Sequence, residues 1–175
     1  MVKFGVGQSV RRVEDPRFLK GTGRFTDDIS FDNQAHAVFL RAPHAHATIT
    51  ALDVEAARAA PGVLAVFTIE DVKAAGLGEV PNLIPLQQKD GSLLVSHDRP
   101  LLADGIVRHV GEAVVMVVAE TLAEAQDAAE LVEVDYDDLP AVIDTASAVD
   151  PDQPQVWEDA GANTSFVWEM GDSPA

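Results

Sequence analysis

The 175-residue sequence contains no cysteine, and this absence limits both its covalent structure and its chemistry. Without thiols the chain forms no disulfide, offers no thiolate nucleophile and provides no cysteine ligands for zinc or an iron–sulfur cluster. Its length is that of one ordinary domain, which is enough to bury a hydrophobic core without covalent cross-links. We therefore expect a globular fold that hydrophobic burial stabilises.

Long hydrophobic segments are also missing. The longest uninterrupted apolar run, Ala113–Ala119, is far shorter than the roughly 20 residues that span a bilayer. The amino terminus lacks the apolar stretch and the small-residue cleavage site of a secretory signal. Together with the lack of cysteine, these features predict a cytoplasmic protein with no membrane segment.

Positive charge is scarce and unevenly distributed. The sequence has 12 Lys and Arg against 29 Asp and Glu, a net charge of −17, and such a surface repels nucleic acid and anionic membranes. Residues 1–25 nevertheless carry six basic and only two acidic side chains, whereas no Lys or Arg follows Arg108. The acidic surface either keeps the protein soluble or complements the basic segment, which then docks on this domain or on a partner.

Composition divides the chain into three parts. Residues 1–30 are rich in glycine and charge without a sustained period and predict an extended basic arm. Residues 31–150 contain the periodic apolar segments and predict the core of the domain. Residues 151–175 form an acidic tail. Its aromatic side chains either close this core or contact a missing downstream domain, and they are Trp157, Phe166 and Trp168.

Hydrophobic periodicity predicts the elements of the core. Two strand–helix–strand units are expected, at Ala47–Phe67 and Ala113–Tyr136, and each favours a crossover onto one sheet. A further strand, Ala35–Arg41, precedes them and is predicted to form a hairpin with the next strand. Capping boxes at Thr68–Asp71 and Thr121–Glu124 mark two helix starts. The predicted class is therefore α+β with a mixed sheet.

The segment at residues 77–105 lacks this periodicity. Proline and glycine interrupt it repeatedly, so we expect a long surface excursion from the domain rather than a linker between domains. Long ordered loops of this kind often carry function.

Histidines and acidic clusters are the metal candidates. His44 and His46 are one residue apart in an extended segment and point to the same face, but a site needs a third ligand, such as His36. The alternative is that both are turn histidines that make hydrogen bonds. The acidic clusters at Asp27–Asp28 and Asp135–Asp138 lack the loop pattern of an EF-hand, so we expect solvated carboxylates there.

The remaining motifs are incomplete. The glycine pairs Gly5–Gly7 and Gly21–Gly23 lack the third glycine and the preceding strand of a dinucleotide-binding fingerprint. Glu112, at the entry to the buried strand, is a candidate for proton transfer or for an ion pair with Arg108. The motifs alone predict no complete catalytic, cofactor-binding or metal site.

Six segments, in order along nearly the whole chain, carry a family pattern: Arg12–Asp28, Arg41–Ile49, Pro61–Thr68, Arg99–Ala103, Val107–Glu112 and Asp127–Pro140. Together they resemble the amino-terminal domain of the molybdenum-binding large subunit in the xanthine dehydrogenase, aldehyde oxidase and carbon monoxide dehydrogenase family. The pattern is most similar to bacterial carbon monoxide dehydrogenase-like large subunits. It departs at His109, where an aromatic residue is usual, and at Ala113, where proline commonly follows Gly-Glu, which leaves the substrate open.

The resemblance implies an α/β hammerhead fold. It also implies that a larger downstream region holds molybdopterin cytosine dinucleotide and a glutamate base, while iron–sulfur clusters and FAD lie on companion subunits or domains. The chain stops near Gly171–Asp172, about where that region is expected to begin, which is typical of a domain fragment. We expect no catalytic residue, cofactor or metal within these 175 residues.

Two functions remain open from the sequence. The first is a scaffold and subunit-contact domain of a molybdenum hydroxylase large subunit, an oxidoreductase, with the downstream molybdopterin-binding domain and an iron–sulfur small subunit as partners. The basic arm then pairs with partner carboxylates, and its contact residues are Arg11, Arg12, Arg17 and Arg24. The second is a freestanding acidic protein-binding module that uses the same fold.

Overall fold

The computed structural model describes residues 5, 7, 11–168 and 171, and it divides the chain into two units between Gln34 and Ala35. The first unit contains helix α1 at Asp15–Leu19 and a 3₁₀ helix at Thr26–Asp28. The prediction of an extended arm is therefore wrong over these residues. Pro16 lies in the first turn of α1, where its fixed φ favours a helix and its missing N–H costs no hydrogen bond.

The second unit contains the remaining helices and strands. Their bounds are β1 His36–Arg41, β2 Ala47–Asp53, α2 Glu55–Arg58, β3 Val63–Phe67, α3 Ile69–Ala74, β4 Ile106–Val107, β5 Ala113–Ala119, α4 Leu122–Ala129 and β6 Glu133–Asp138. Residues 77–105 form the predicted excursion, with two isolated bridges instead of strands. No helix among the described residues is long and apolar enough to cross a membrane.

The six strands in the described part of the chain form two small sheets. One has the order β1-β5-β3 and the other β4-β2-β6, and every pairing between these strands is antiparallel. The α+β class is confirmed, whereas the mixed pairing and the crossovers onto one sheet are wrong. The reason is that α2 and α4 each connect a strand of one sheet to a strand of the other, so neither helix returns the chain to its own sheet.

The predicted hairpin between the first two strands is also wrong. β1 pairs with β5, whereas β2 pairs with β4 and β6. The five residues between β1 and β2 include Pro43, which donates no hydrogen bond, and they lead the chain from one sheet to the other instead of closing a tight turn. Ala42, at the start of this connection, is buried and exchanges backbone hydrogen bonds with residues 111 and 112.

The core lies where helix α4 covers one face of the β1-β5-β3 sheet. Val115 and Val117 of β5 are fully buried, and α4 contributes three buried alanines, which are Ala125, Ala128 and Ala129. Small side chains on the helix allow close approach to the branched valines on the strand. The continuous apolar run of β5 thus forms the centre of the core, as its composition predicted.

Both predicted capping boxes begin helices. The Thr121 hydroxyl accepts the N–H of Glu124, and the Glu124 carboxylate accepts the N–H of Thr121 at 3.1 Å. At the start of α3, the Asp71 carboxylate accepts the N–H of Thr68 at 2.8 Å and its hydroxyl at 2.9 Å. These bonds hold the pKa of Asp71 below its usual value, and the nearby Arg58 guanidinium also lowers it.

Candidate functional site

The four arginines predicted to contact a partner lie exposed in the first unit, and they are Arg11, Arg12, Arg17 and Arg24. The guanidinium of Arg17 lies 5.2 Å from the centre of the Phe18 ring, a cation–π distance. That ring stacks on Phe25, with 5.4 Å between ring centroids and an interplanar angle of 12°. The arm therefore presents a cation beside an aromatic pair that is partly exposed, with Phe18 at 40% and Phe25 at 65%.

Local contacts shape the loop that carries this pair. A Cβ atom on Gly23 would lie 2.3 Å from a carbon of the Phe18 ring, so only glycine lets the chain pass so close. The N–H and hydroxyl of Thr22 both donate to the carbonyl of Arg17 at 3.0 Å. This geometry suits recognition of a carboxylate or an apolar side chain on another surface.

The two candidate histidines bond to different partners in the second unit. His44 Nδ1 lies 2.7 Å from a carboxylate oxygen of Asp138, and the His44 ring lies 4.6 Å from the ring of Tyr136. His46 Nδ1 instead lies 2.9 Å from the carbonyl of Pro140. Across the described part of the chain, no three His, Asp or Glu side chains come together as a possible metal site. His44 and His46 therefore make hydrogen bonds, as the second of the two alternatives for these histidines predicted.

Glu112 closes a turn instead of pairing with a side-chain cation. Its carboxylate accepts the backbone N–H of Arg108, so the predicted ion pair is wrong. The Arg108 side chain instead donates its Nε–H to the carbonyl of Val156 at 3.2 Å, and its guanidinium lies 3.8 Å from the Trp157 ring centre. Two residues of the acidic tail, Val156 and Trp157, thereby contact the turn that precedes β5.

A contact between Trp157 and His97 was missed from the sequence. The two rings stack with 4.3 Å between centroids and an interplanar angle of 9°. His97 Nε2 is buried without a hydrogen bond, and it lies 3.7 Å from a carboxylate oxygen of Asp159. Trp157 therefore packs on its own unit, which is one of the two alternatives for the tail aromatics, whereas Phe166 and Trp168 stay exposed.

These contacts border a groove of about 750 Å³ in the second unit. Four separate parts of the chain line it: the end of β1, the excursion, the turn before β5 and the tail. The lining includes three arginines and one carboxylate, so the groove offers guanidinium groups to an anionic or amide-bearing group, and these charged residues are Arg41, Arg99, Arg108 and Glu112. The sequence signal was the unexplained tryptophan in a polar tail.

Comparison with known proteins gives consistent matches. A family model described as "Aldehyde oxidase and xanthine dehydrogenase, a/b hammerhead domain" matches residues 20–140. The chain is 38% identical over 96% of its length to the carbon monoxide dehydrogenase large chain of Afipia carboxidovorans, and 40% identical over 82% of its length to the nicotine 6-hydroxylase large subunit of Paenarthrobacter nicotinovorans. The aldehyde oxidoreductase of Desulfovibrio desulfuricans superposes on 91% of the chain with a TM-score of 0.73 and 29% identity.

The matches cover only a small part of each relative. This chain spans 21% of the Afipia carboxidovorans large chain, 17% of the nicotine 6-hydroxylase large subunit and 17% of the aldehyde oxidoreductase chain. The similarity therefore applies to about a fifth of the length of each relative.

Proposed function

From the premise that this chain belongs to the aldehyde oxidase and xanthine dehydrogenase a/b hammerhead family, we propose that it serves as the scaffold and subunit-contact part of a molybdenum hydroxylase large subunit. The match over residues 20–140 carries this proposal, because it includes both sheets and the helices between them. Membership also confirms the α/β hammerhead fold that the resemblance implied.

The cofactors, in this proposal, lie outside the chain. Molybdopterin cytosine dinucleotide is held by the downstream part of the large subunit, and iron–sulfur clusters and FAD lie on companion subunits or domains. Among the described residues, His44 and His46 each face a separate hydrogen-bonding partner, so the two do not act together as metal ligands. The chain contributes no catalytic side chain of its own and acts in the cytoplasm.

The basic arm, in this proposal, contacts the downstream domain or the iron–sulfur small subunit. Arg17 is already positioned by its contact with Phe18, so it loses less conformational freedom when it pairs with a carboxylate. Isolated surface ion pairs contribute only about 0–1 kcal/mol each. A measurable contribution therefore requires several arginines acting together at a partly buried interface.

The experiment uses a full-length chimera. The matching stretch of the Afipia carboxidovorans carbon monoxide dehydrogenase large chain is replaced by this chain, and assembly is measured by co-purification with the companion subunits of that enzyme. We expect the chimera to assemble. Replacement of Arg11, Arg12, Arg17 and Arg24 together by Ala should reduce assembly, and replacement of the same four by Lys should restore only part of it, because Lys keeps the charge and loses the bidentate geometry.

Two results would count against the proposal. A chimera that folds but associates with no companion subunit would favour the freestanding binding module. Assembly that is unchanged by the fourfold Ala substitution would leave the family assignment in place and remove the arm from the interface.

A further inference from the structure

The β1-β5-β3 sheet has a second face that α4 does not cover. Strand register places Phe39, Met116 and Phe67 side by side across the three strands, and the neighbouring row consists of Ala37, Val118 and Ala65. Side chains alternate between the faces of a strand, so both rows point away from the buried valines at 115 and 117. Six apolar side chains from three strands thus form one continuous patch, which we term the outer apolar face.

This face is open in the structure. Phe39 is 41% exposed and Phe67 is 38% exposed, large values for aromatic residues in the strands of a sheet. Val114 lies on the same side by alternation and is buried, so the open area begins at the row of Met116. Arg41 at the end of β1 is the charged residue beside the patch, and its guanidinium lies 5.6 Å from the Phe39 ring.

The composition of β5 is typical of a strand that is buried on both faces. All seven of its residues are apolar. α4 covers the face that carries the buried valines, and no element among the described residues of the second unit covers Phe39 and Phe67 to the same degree. A contiguous exposed apolar patch rimmed by polar residues usually marks an interaction surface.

We propose that the outer apolar face docks onto the remaining part of the large subunit. The proposal rests on the proposed function and identifies one of its contact surfaces. The partner for this face is inferred from the comparisons. The matched relatives are about five times longer than the stretch they share with this chain, so their hammerhead lies in a much larger polypeptide. The two aromatic rings serve as its anchors, because buried aromatics dominate interface energetics.

Thiol labelling tests this proposal cleanly, because the chain has no cysteine of its own. Phe39→Cys and Phe67→Cys are made separately, with Ser92→Cys in the excursion as the matched exposed control. Each variant is examined as the isolated chain and within the full-length chimera, after circular dichroism shows that it folds. The rate of labelling at the introduced position is measured by peptide mass spectrometry.

We expect labelling at positions 39 and 67 to slow about tenfold or more in the chimera, because the core of an interface excludes solvent. Labelling at position 92 should stay the same in both contexts. If the chimera assembles while positions 39 and 67 remain equally reactive, the docking proposal is overturned and the proposed function stands. A chimera that does not assemble contradicts the proposed function itself.

Two outcomes for the isolated chain also overturn the docking proposal. Labelling at positions 39 and 67 that slows as the chain is concentrated identifies a second copy as the occupant. Labelling that is slow at every concentration shows that the face is already covered within the chain.

Discussion

Strand β5 and residues 77–95 of the excursion are both rich in apolar side chains, yet they have opposite environments. Val117 in β5 is 0% exposed, whereas Leu83 and Leu93 in the excursion are 82% and 68% exposed. β5 pairs with β1 along its length and with β3 over residues 116–119, while the excursion has two isolated bridges. The difference shows that apolar content stabilises this fold only where neighbouring strands and a helix enclose it.

Removing an apolar side chain from each region should have very different effects on stability. Val117→Ala should lower the free energy of unfolding by about 2 kcal/mol, since it leaves a cavity between β5 and α4 that close-packed neighbours fill only in part. Leu93→Ala should change it by less than about 0.5 kcal/mol. Urea denaturation followed by circular dichroism measures both. Equal effects would mean that the excursion belongs to the core.

Two glycines, one near the core and one in the excursion, have similar φ angles. Gly62 has φ 73° and Gly91 has φ 86°, so alanine is strained at both positions. A Cβ on Gly62 would also lie 2.2 Å from the carboxyl carbon of Glu124, which caps α4, whereas a Cβ on Gly91 meets nothing within 4 Å.

We therefore expect Gly62→Ala to cost about 1–2 kcal/mol of stability, as the backbone strain adds to the loss of part of a helix cap. Gly91→Ala should cost about 1 kcal/mol or less. Thermal unfolding compares the two variants. A larger effect at Gly91 would contradict the assignment of stability to the capped helix.

The smallest expected change in stability concerns two aspartates whose pKa values are both lowered. Asp71 bonds to Thr68 at the start of α3, and Asp90 bonds to Ser92 within the excursion. A carboxyl with a lowered folded pKa contributes stability above its unfolded pKa of about 3.9, and this contribution disappears as the pH falls through the folded value.

Asp71→Asn should therefore destabilise the protein near neutral pH, with the difference from the original chain shrinking below about pH 4. Asp90→Asn should give a weaker effect, because its bonds close a two-residue turn that does not depend on the core. Urea titrations at several pH values check this order. A difference for Asp71→Asn that grows as the pH falls would contradict the direction of the pKa shift.

Local signals in the sequence were sufficient for much of the fold. The first predicted unit, Ala47–Phe67, begins where β2 begins and ends where β3 ends, and β5 has the bounds of the apolar run Ala113–Ala119. The boxes at Thr121–Glu124 and Thr68–Asp71 begin helices as expected. These features depend on residues within a few positions of one another. Periodicity and capping chemistry are therefore enough to locate them.

Sheet partners could not be predicted in the same way. A strand such as β1 carries the same alternation whether it pairs with β2 or with β5, and the choice depends on which residues cover it in three dimensions. The stack of Trp157 with His97 and Arg108 likewise joins residues that are far apart in the chain. A lone tryptophan in a polar tail indicated a packing partner but not its identity.

The central claim is that this chain supports a redox centre housed in other parts of a large subunit. The most direct test compares the purified 175-residue chain with the chimeric large chain, assembled with its companion subunits, for carbon monoxide oxidation with a dye as electron acceptor. We predict turnover by the assembled chimera and none by the isolated chain. Turnover by the isolated chain, accompanied by stoichiometric molybdenum that survives gel filtration, would contradict the claim.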